Sequence, residues 1–211
     1  MDKLWITLLD CIAPRRYSAV SSHYFDRTVF KSTELQLHRS EHSPSLIRHH
    51  WYVLEYTDPA VQRLFQRAKF EGEYEIITEF IEDIAAHIEV LEKTYGEYDL
   101  IIPVAPDQLR YSKKGYSFAS IATRVLKNNP KINVLVRKKY STLERNKQKK
   151  SERLILNTKK YVVLSEKLKV IHRILLLDDI ITTGSTLEEH AKVLKHVYPN
   201  CAIDTLCISG G

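Results

Sequence analysis

No apolar run in this 211-residue chain comes near the roughly 20 residues that a helix needs to cross a bilayer; the longest, such as ILLL ahead of Asp178, are far too short. A membrane-spanning helix is therefore not expected. Cysteine is scarce as well. The three present, Cys11, Cys201 and Cys207, are odd in number and include no close pair, which argues against a disulfide framework and a zinc site and favours a reducing, cytoplasmic setting. The opening stretch MDKLWITLLDCIAP carries Asp2, Lys3 and Asp10, and this pattern does not suit a secretory signal; a short amphipathic helix is expected instead. Internal repeats and low-complexity tracts are missing too. What is there, 44% hydrophobic and 27% charged residues, is the balance of a folded globular protein. Its length suits one α/β domain plus a small appendage.

Charge is unevenly spread. The chain carries a formal +6, yet residues 137–173 hold 13 Lys and Arg against 3 acids, Glu144, Glu152 and Glu166, a local balance of +10 that leaves −4 for the rest. Basic charge concentrated in this way commonly serves a polyanion, the alternative being a solvated face that binds nothing.

Residues 14–48 are rich in Ser, His, Arg and Pro with no sustained period, and read as an irregular appendage. HHWYVLEY, His49 to Tyr56, has strand composition. Asp58 followed by Pro59 reads as an N-cap and first-turn proline, opening a helix that runs through Phe70. Ile76, Ile77, Phe80, Ile81, Ile84, Ala85, Ile88 and Leu91 share one face of a longer amphipathic helix that ends near Gly96. Strand and helix then alternate, which argues for a parallel sheet with crossovers. Strands are expected at 99–104, 132–136, 160–164, 170–177 and 201–208, with helices at 117–127 and 186–196. Residues 138–158 are polar, basic and almost free of apolar side chains, too long for a casual connection and so a candidate mobile functional loop.

The chemistry is concentrated in LLLDDIITTGST, Leu175 to Thr186. A buried strand runs into two acids, a tight loop and a helix start. In open parallel sheets ligands sit at the carboxyl ends of strands, where free N–H groups and the helix dipole favour a phosphate. Thr182, Thr183, Gly184, Ser185 and Thr186 are placed for that task. Gly184 lets the backbone approach an anion, and the hydroxyls add donors. Asp178 and Asp179 precede this cradle, where carboxylates repel phosphate but accept hydrogen bonds from sugar hydroxyls. A phosphorylated sugar suits both halves. The plainer reading, a strand-to-helix turn with Asp at its solvent end and Thr as N-cap, accounts for any one of these residues but not for the whole string.

That string matches the signature with which type I phosphoribosyltransferases bind 5-phosphoribosyl-1-pyrophosphate (PRPP). More of the chain resembles one branch of that superfamily, the ComF family of competence-associated proteins. WITLLDCIAP resembles the family's opening helix and YTDPAVQRLFQRAKFEG its early helix ending in Lys-Phe-x-Gly. PVAPDQLRYSKKGY resembles its pyrophosphate-loop region, and Gln148, Ser151, Arg153 and Asn157 its mobile loop.

The resemblance implies an α/β type I phosphoribosyltransferase fold over residues 57–211, a mostly parallel twisted sheet flanked by helices, after an N-terminal helix and irregular, degenerate zinc-knuckle-like appendage over 1–56. It also implies roles. Asp178 and Asp179 would hold the ribose hydroxyls at the catalytic centre, with Ile180, Thr182, Thr183, Gly184, Ser185 and Thr186 completing the PRPP site. Val104, Ala105, Pro106 and Asp107 would border the pyrophosphate, and a basic loop carrying Arg145, Lys147, Gln148, Lys149, Lys150 and Arg153 would close over it. Mg²⁺ would arrive with PRPP rather than on protein ligands.

Three departures from the family pattern narrow the reading. Where the family carries Cys-x-x-Cys after its opening helix, this chain has Tyr17 and Val20, so no zinc is expected. His23, His38, His42, His49 and His50 offer neither cysteine partners nor a repeated ligand spacing. Thr182 stands where enzymes that salvage 6-oxopurines carry an acid, which counts against hypoxanthine and guanine. After Lys114 the chain reads Gly-Tyr-Ser-Phe where the family has Gly-Phe-Asn-Gln. Two functions stay open. One is an enzyme that transfers phosphoribose from PRPP to an unidentified nitrogen acceptor with release of pyrophosphate. The other is a protein that handles single-stranded DNA in natural competence and binds PRPP as a regulator without turnover, its basic segment meeting phosphates and Tyr140 and Tyr161 either stacking bases or simply packing.

Overall fold

One strand, β6 (Arg173–Ile181), organises the molecule. Ile174, Leu175, Leu176 and Leu177 are all fully buried. Successive side chains of a strand point to opposite faces, so Leu175 and Leu177 enter one core while Ile174 and Leu176 enter another. A continuous apolar run is what a strand buried on both faces needs, and each such side chain contributes about 1.5–3 kcal/mol by leaving water. The computed structural model describes residues 34–38, 45–105, 117–133, 136–138, 161–163 and 170–211. In it β6 lies between β3 (Leu100–Pro103) and β7 (Ala202–Gly210). Beyond β7 the sheet continues through β2 (His49–Glu55) to β1 (Gln36–His38). Within this sheet the strands pair in parallel except β1, which lies antiparallel to β2 on the edge. The mostly parallel sheet that the strand and helix alternation predicts is present.

Helices cover both faces. α1 (Pro59–Gln66) begins as expected, with the Asp58 side chain accepting the Ala60 N–H at 2.7 Å and Pro59 in the first turn. It passes into a single π-helical turn, Arg67–Glu71, closed by Gly72 in the left-handed conformation at φ 83°. α2 (Tyr74–Tyr95) buries Ile77, Phe80, Ile81, Ile84, Ile88 and Leu91, the face its periodicity marks, with Ile76 and Ala85 at the margin. α3 (Phe118–Val125) starts on a reciprocal Ser117–Ser120 capping box and packs into the same core. The opposite face is covered by α4 (Ser185–Val197) through Leu187, Ala191 and Leu194. Among the described residues no helix is long and apolar enough to cross a membrane.

The structure changes three expectations. The strand at 49–56, grouped by sequence with the appendage, is paired with β7 from His49 to Glu55. The boundary at 56/57 therefore divides the sheet, because Tyr52 packs into one core and Val53 and Leu54 into the other. Of the strand expected at 132–136, only Ile132 pairs with that sheet among the described residues. Ile132 forms a single bridge to Ile101, and β4 (Val136–Lys138) pairs antiparallel with β5 (Tyr161–Val163) in a separate ribbon. Finally, β6 continues past Leu177 to Ile181, still paired with β7, and takes both aspartates into the strand. The expected N-terminal helix lies outside the described residues.

A single carboxylate ties the amino ends of the strands. Asp204 of β7 accepts two bonds from Arg48 (3.1 and 2.7 Å), one from Arg173 (3.0 Å) and one from the Tyr98 hydroxyl (3.1 Å), and lies 3.0 Å from His49 Nδ1. Burial by itself raises this carboxyl, but the bonds from Arg48, Arg173 and His49 outweigh it and hold its pKa below the usual range. At the carboxyl ends the packing is equally close. A Cβ on Gly210 would stand 2.7 Å from both Ile181 Cγ2 and Tyr52 Cγ. Gly210→Ala is therefore expected to cost about 1–3 kcal/mol, read as a lower urea midpoint at unchanged slope. An unchanged midpoint would mean that Ile181 and Tyr52 yield freely.

Candidate functional site

β3 and β6 are parallel neighbours, yet the next described helix after β3, α3, packs on one face of the sheet and α4, which follows β6, packs on the other. Divergence of this kind opens a crevice at the carboxyl ends of the two strands, the usual ligand site of open α/β sheets. Asp178, Asp179 and Ile180 lie at the end of β6, Thr182 and Thr183 in the exposed turn that follows, and Gly184, Ser185 and Thr186 where α4 opens. Across the crevice, Val104 and Ala105 leave β3, and the Val104 N–H extends the ladder to the Leu177 carbonyl at 2.8 Å. The residues expected to form the sugar-phosphate site and the first two of the pyrophosphate loop are thus brought together. Pro106 and Asp107 lie outside the described residues, as do Arg145, Lys147, Gln148, Lys149, Lys150 and Arg153.

Each aspartate is held by the backbone of the next residue. The Asp179 N–H donates to Asp178 Oδ1 at 2.9 Å and the Ile180 N–H to Asp179 Oδ1 at 2.8 Å. Lys69 reaches in from the π-helical turn, its Nζ 2.6 Å from Asp179 Oδ2 and 5.6 Å from the centroid of the Phe65 ring. π-helical turns recur at functional sites because the extra residue re-aims a side chain. Here the turn is braced by Arg67, whose guanidinium donates two bonds to Glu73. Burial first, and then the neighbouring Asp179 charge, push the Asp178 carboxyl up to about 8, while the Asp179 N–H and the Lys69 ammonium pull the other way. A carboxyl so perturbed at the mouth of a crevice is characteristic of functional sites.

The turn is shaped for an anion. Gly184 adopts φ 71° and ψ 0°, a left-handed conformation that glycine takes without strain. Gly184 at the N-cap offers no side chain to cap α4; the Ser185 N–H meets the Thr183 hydroxyl at a long 3.4 Å, and the helix start presents the positive end of its dipole. The Thr183 hydroxyl donates to the Ser185 hydroxyl at 3.2 Å, which keeps two further polar groups at the rim. Glu188 behaves differently. It is buried and accepts bonds from the Ser45 hydroxyl and the Leu46 N–H, so this first-turn acid tethers the chain ahead of β2.

Residues 74–208 match the family model of the phosphoribosyl transferase domain. The chain belongs to that family. Among curated proteins, this phosphoribosyl transferase family member is 28% identical over 138 residues to Competence protein F of Haemophilus influenzae, a match covering 63% of this chain and 60% of that protein. It is 30% identical over 154 residues to Competence protein ComFC of Bacillus subtilis, covering 71% of this chain and 59% of that protein. The ComF-type resemblance therefore holds, and the chain spans about three fifths of the length of these relatives. A solved structure, Helicobacter pylori Xanthine-Guanine-Hypoxanthine Phosphoribosyltransferase, is similar at 13% identity with a TM-score of 0.38, over 77% of this chain and 88% of that one. The expected α/β phosphoribosyltransferase fold stands on the family match and on the sheet itself.

Two residues at the site have no role in the sequence reading. Lys69 lies just before the matched segment, inside the Lys-Phe-x-Gly stretch that carries part of the ComF resemblance. That stretch was the available signal, but only the fold aims the ammonium at Asp179. His190 is fully buried, and its Nε2 accepts the Ala105 N–H at 3.0 Å. Its place three residues beyond Leu187 and four before Leu194 marks it as a core-facing position and nothing more.

Proposed function

We propose that the crevice binds Mg·PRPP and that the protein transfers the phosphoribosyl group to a nitrogen acceptor with release of pyrophosphate. The observation that carries this reading is the Asp178–Asp179 pair, set at the end of β6 and followed by a helix start whose N-cap is the left-handed Gly184. The carboxylates accept the ribose hydroxyls and the turn at 182–186 takes the 5-phosphate, leaving the pyrophosphate toward Ala105. Carboxylate oxygens suit a hard cation. Because Lys69 already stands at one of them, Mg²⁺ would come with the ligand rather than on protein carboxylates and would supply charge neutralisation for the leaving group. The acceptor nitrogen forms its bond to C1 as the bond from C1 to pyrophosphate oxygen breaks, the electron pair departing with pyrophosphate. Orientation, charge stabilisation and exclusion of water carry such a step, and no side-chain nucleophile is needed. Thr182 directs the choice of acceptor away from 6-oxopurines.

Calorimetric titration with Mg·PRPP, followed by assay of pyrophosphate release with a panel of bases and amines, tests the reading. Saturable binding and release with at least one acceptor are expected, and no binding at millimolar ligand would sink it. Lys69→Met is expected to weaken Mg·PRPP binding roughly tenfold, since it leaves both acids uncompensated before an anionic ligand. Lys69→Arg should weaken it less.

A second reading is supported by the +10 balance of residues 137–173 and by the competence names of both relatives. On it, the protein handles single-stranded DNA and PRPP regulates it. Affinity for a single-stranded oligonucleotide should then fall steeply with salt. Absence of binding at low salt, or binding that survives charge reversal of Lys147, Lys149 and Lys150, argues against this reading.

A further inference from the structure

The turn that cradles the 5-phosphate and the loop that would border pyrophosphate come from different strands, and one side chain joins them. His190, one turn into α4, is fully buried. Its Nδ1 lies 2.8 Å from the Thr186 carbonyl oxygen and its Nε2 lies 3.0 Å from the Ala105 backbone nitrogen. A carbonyl only accepts and a backbone N–H only donates. Both contacts are hydrogen bonds, therefore, in just one protonation state, with the proton on Nδ1 and Nε2 bare. An imidazolium would turn an N–H against the Ala105 N–H, and the opposite tautomer would lose both bonds.

The Ala105 N–H needs this acceptor because the sheet does not reach it. The ladder between β3 and β6 closes with the Val104 N–H on the Leu177 carbonyl, and Ala105, one residue beyond, is buried. A buried N–H without a partner is costly. Satisfying it would be an ordinary structural duty, were it not for the places that the imidazole connects. Thr186 belongs to the first turn of α4, and Ala105 is the second residue of the pyrophosphate loop. One ring thereby sets the distance between the protein groups that meet the two ends of the same ligand.

We infer that His190 is a positioning residue for the pyrophosphate half of the site, acting through Ala105 without touching the ligand. The inference rests on the Mg·PRPP reading proposed above. Asparagine places an amide nitrogen near the position of Nδ1, and glutamine places a carbonyl oxygen near the position of Nε2, so His190→Asn and His190→Gln separate the two bonds.

Mg·pyrophosphate and ribose 5-phosphate are the probes, each titrated into the wild type and both variants. His190→Asn is expected to weaken Mg·pyrophosphate about tenfold, the size of one net hydrogen bond, while ribose 5-phosphate changes less than about threefold. His190→Gln, which keeps the acceptor for Ala105, should stay near the wild type for both probes. Equal weakening by the two variants, or of the two probes, overturns the inference and leaves His190 a packing residue. A wild type that binds neither probe overturns the Mg·PRPP reading itself, and this inference falls with it. If a variant does not fold, the imidazole nitrogen shifts of the wild type decide: protonation on Nδ1 at neutral pH is expected, and protonation on Nε2 refutes the proposal.

Discussion

Asp178→Asn is expected to stabilise the ligand-free protein at alkaline pH and to weaken its binding of Mg·PRPP. In the folded protein, burial and the adjacent Asp179 charge raise this carboxyl to about 8, against about 3.9 in an unfolded chain. A carboxyl raised on folding contributes its full stability below the unfolded value and loses that contribution as pH climbs through the folded one. The wild type should therefore weaken between about pH 4 and pH 8 on account of this group. Asparagine keeps the side-chain oxygen that accepts the Asp179 N–H and has no charge to desolvate. The gain at pH 8 is expected to be on the order of 2 kcal/mol in urea denaturation, and the difference between the two proteins should shrink toward pH 4. Ligand binding moves the other way, because the variant loses a carboxylate acceptor for a ribose hydroxyl; a loss of about a hundredfold is expected. Opposed effects on stability and affinity are what a residue kept for function produces. A variant that is less stable at pH 8 and binds the ligand normally would remove Asp178 from the site.

Asp204→Asn is expected to cost about 3–5 kcal/mol, the usual penalty for removing one partner of a buried ion pair. The carboxylate side chain is 1% exposed, and Arg173, one of its cations, is 14% exposed. Without the anion, Arg173 and the half-exposed Arg48 lose their shared counter-charge, and the buried Tyr98 hydroxyl loses a charged acceptor. The pH dependence has the opposite sign from that of Asp178. A carboxyl held below its ordinary range contributes stability above about pH 4 and loses it as pH falls through the folded value. Melting temperature followed from pH 7 downward should drop steeply in the wild type and less steeply in the variant. Parallel acid limbs in the two proteins would show that the charge of Asp204 is not what ties the strands. Between them the two carboxyls predict greatest stability at about pH 4, above the acid limb set by Asp204 and below most of the loss set by Asp178, which runs from about pH 4 to pH 8.

The elements most legible in the sequence are those whose cause is local. ILLL reads as a buried strand because every residue in it is apolar, and the isoleucines of α2 mark their face because a helix repeats every few residues. Asp58 and Pro59 announce a helix start because the cap is made within two residues. The string from Asp178 to Thr186 is legible for the same reason, since acids, turn and helix start are contiguous and the ladder to β7 only extends the strand beneath them.

What sequence did not reveal lies between segments that meet only on folding. β2 joins β7 across nearly the whole length of the chain, and nothing in HHWYVLEY distinguishes a strand of an appendage from a strand of the main sheet. The π-helical turn inserts a residue that no apolar repeat reports, and it alone aims Lys69 at Asp179. His190 and Ala105 are paired by the packing of α4 against the end of β3. Asp204 gathers Arg48, Tyr98 and Arg173 from three separate places in the chain. Periodicity and capping record which way a side chain points relative to its own backbone. Which partner waits there is decided by the register of non-adjacent strands and the closure of the core. The amino-acid sequence by itself thus determined the contiguous acids, turn and helix start after β6, while the tertiary structure decided which lysine and which histidine stand beside them.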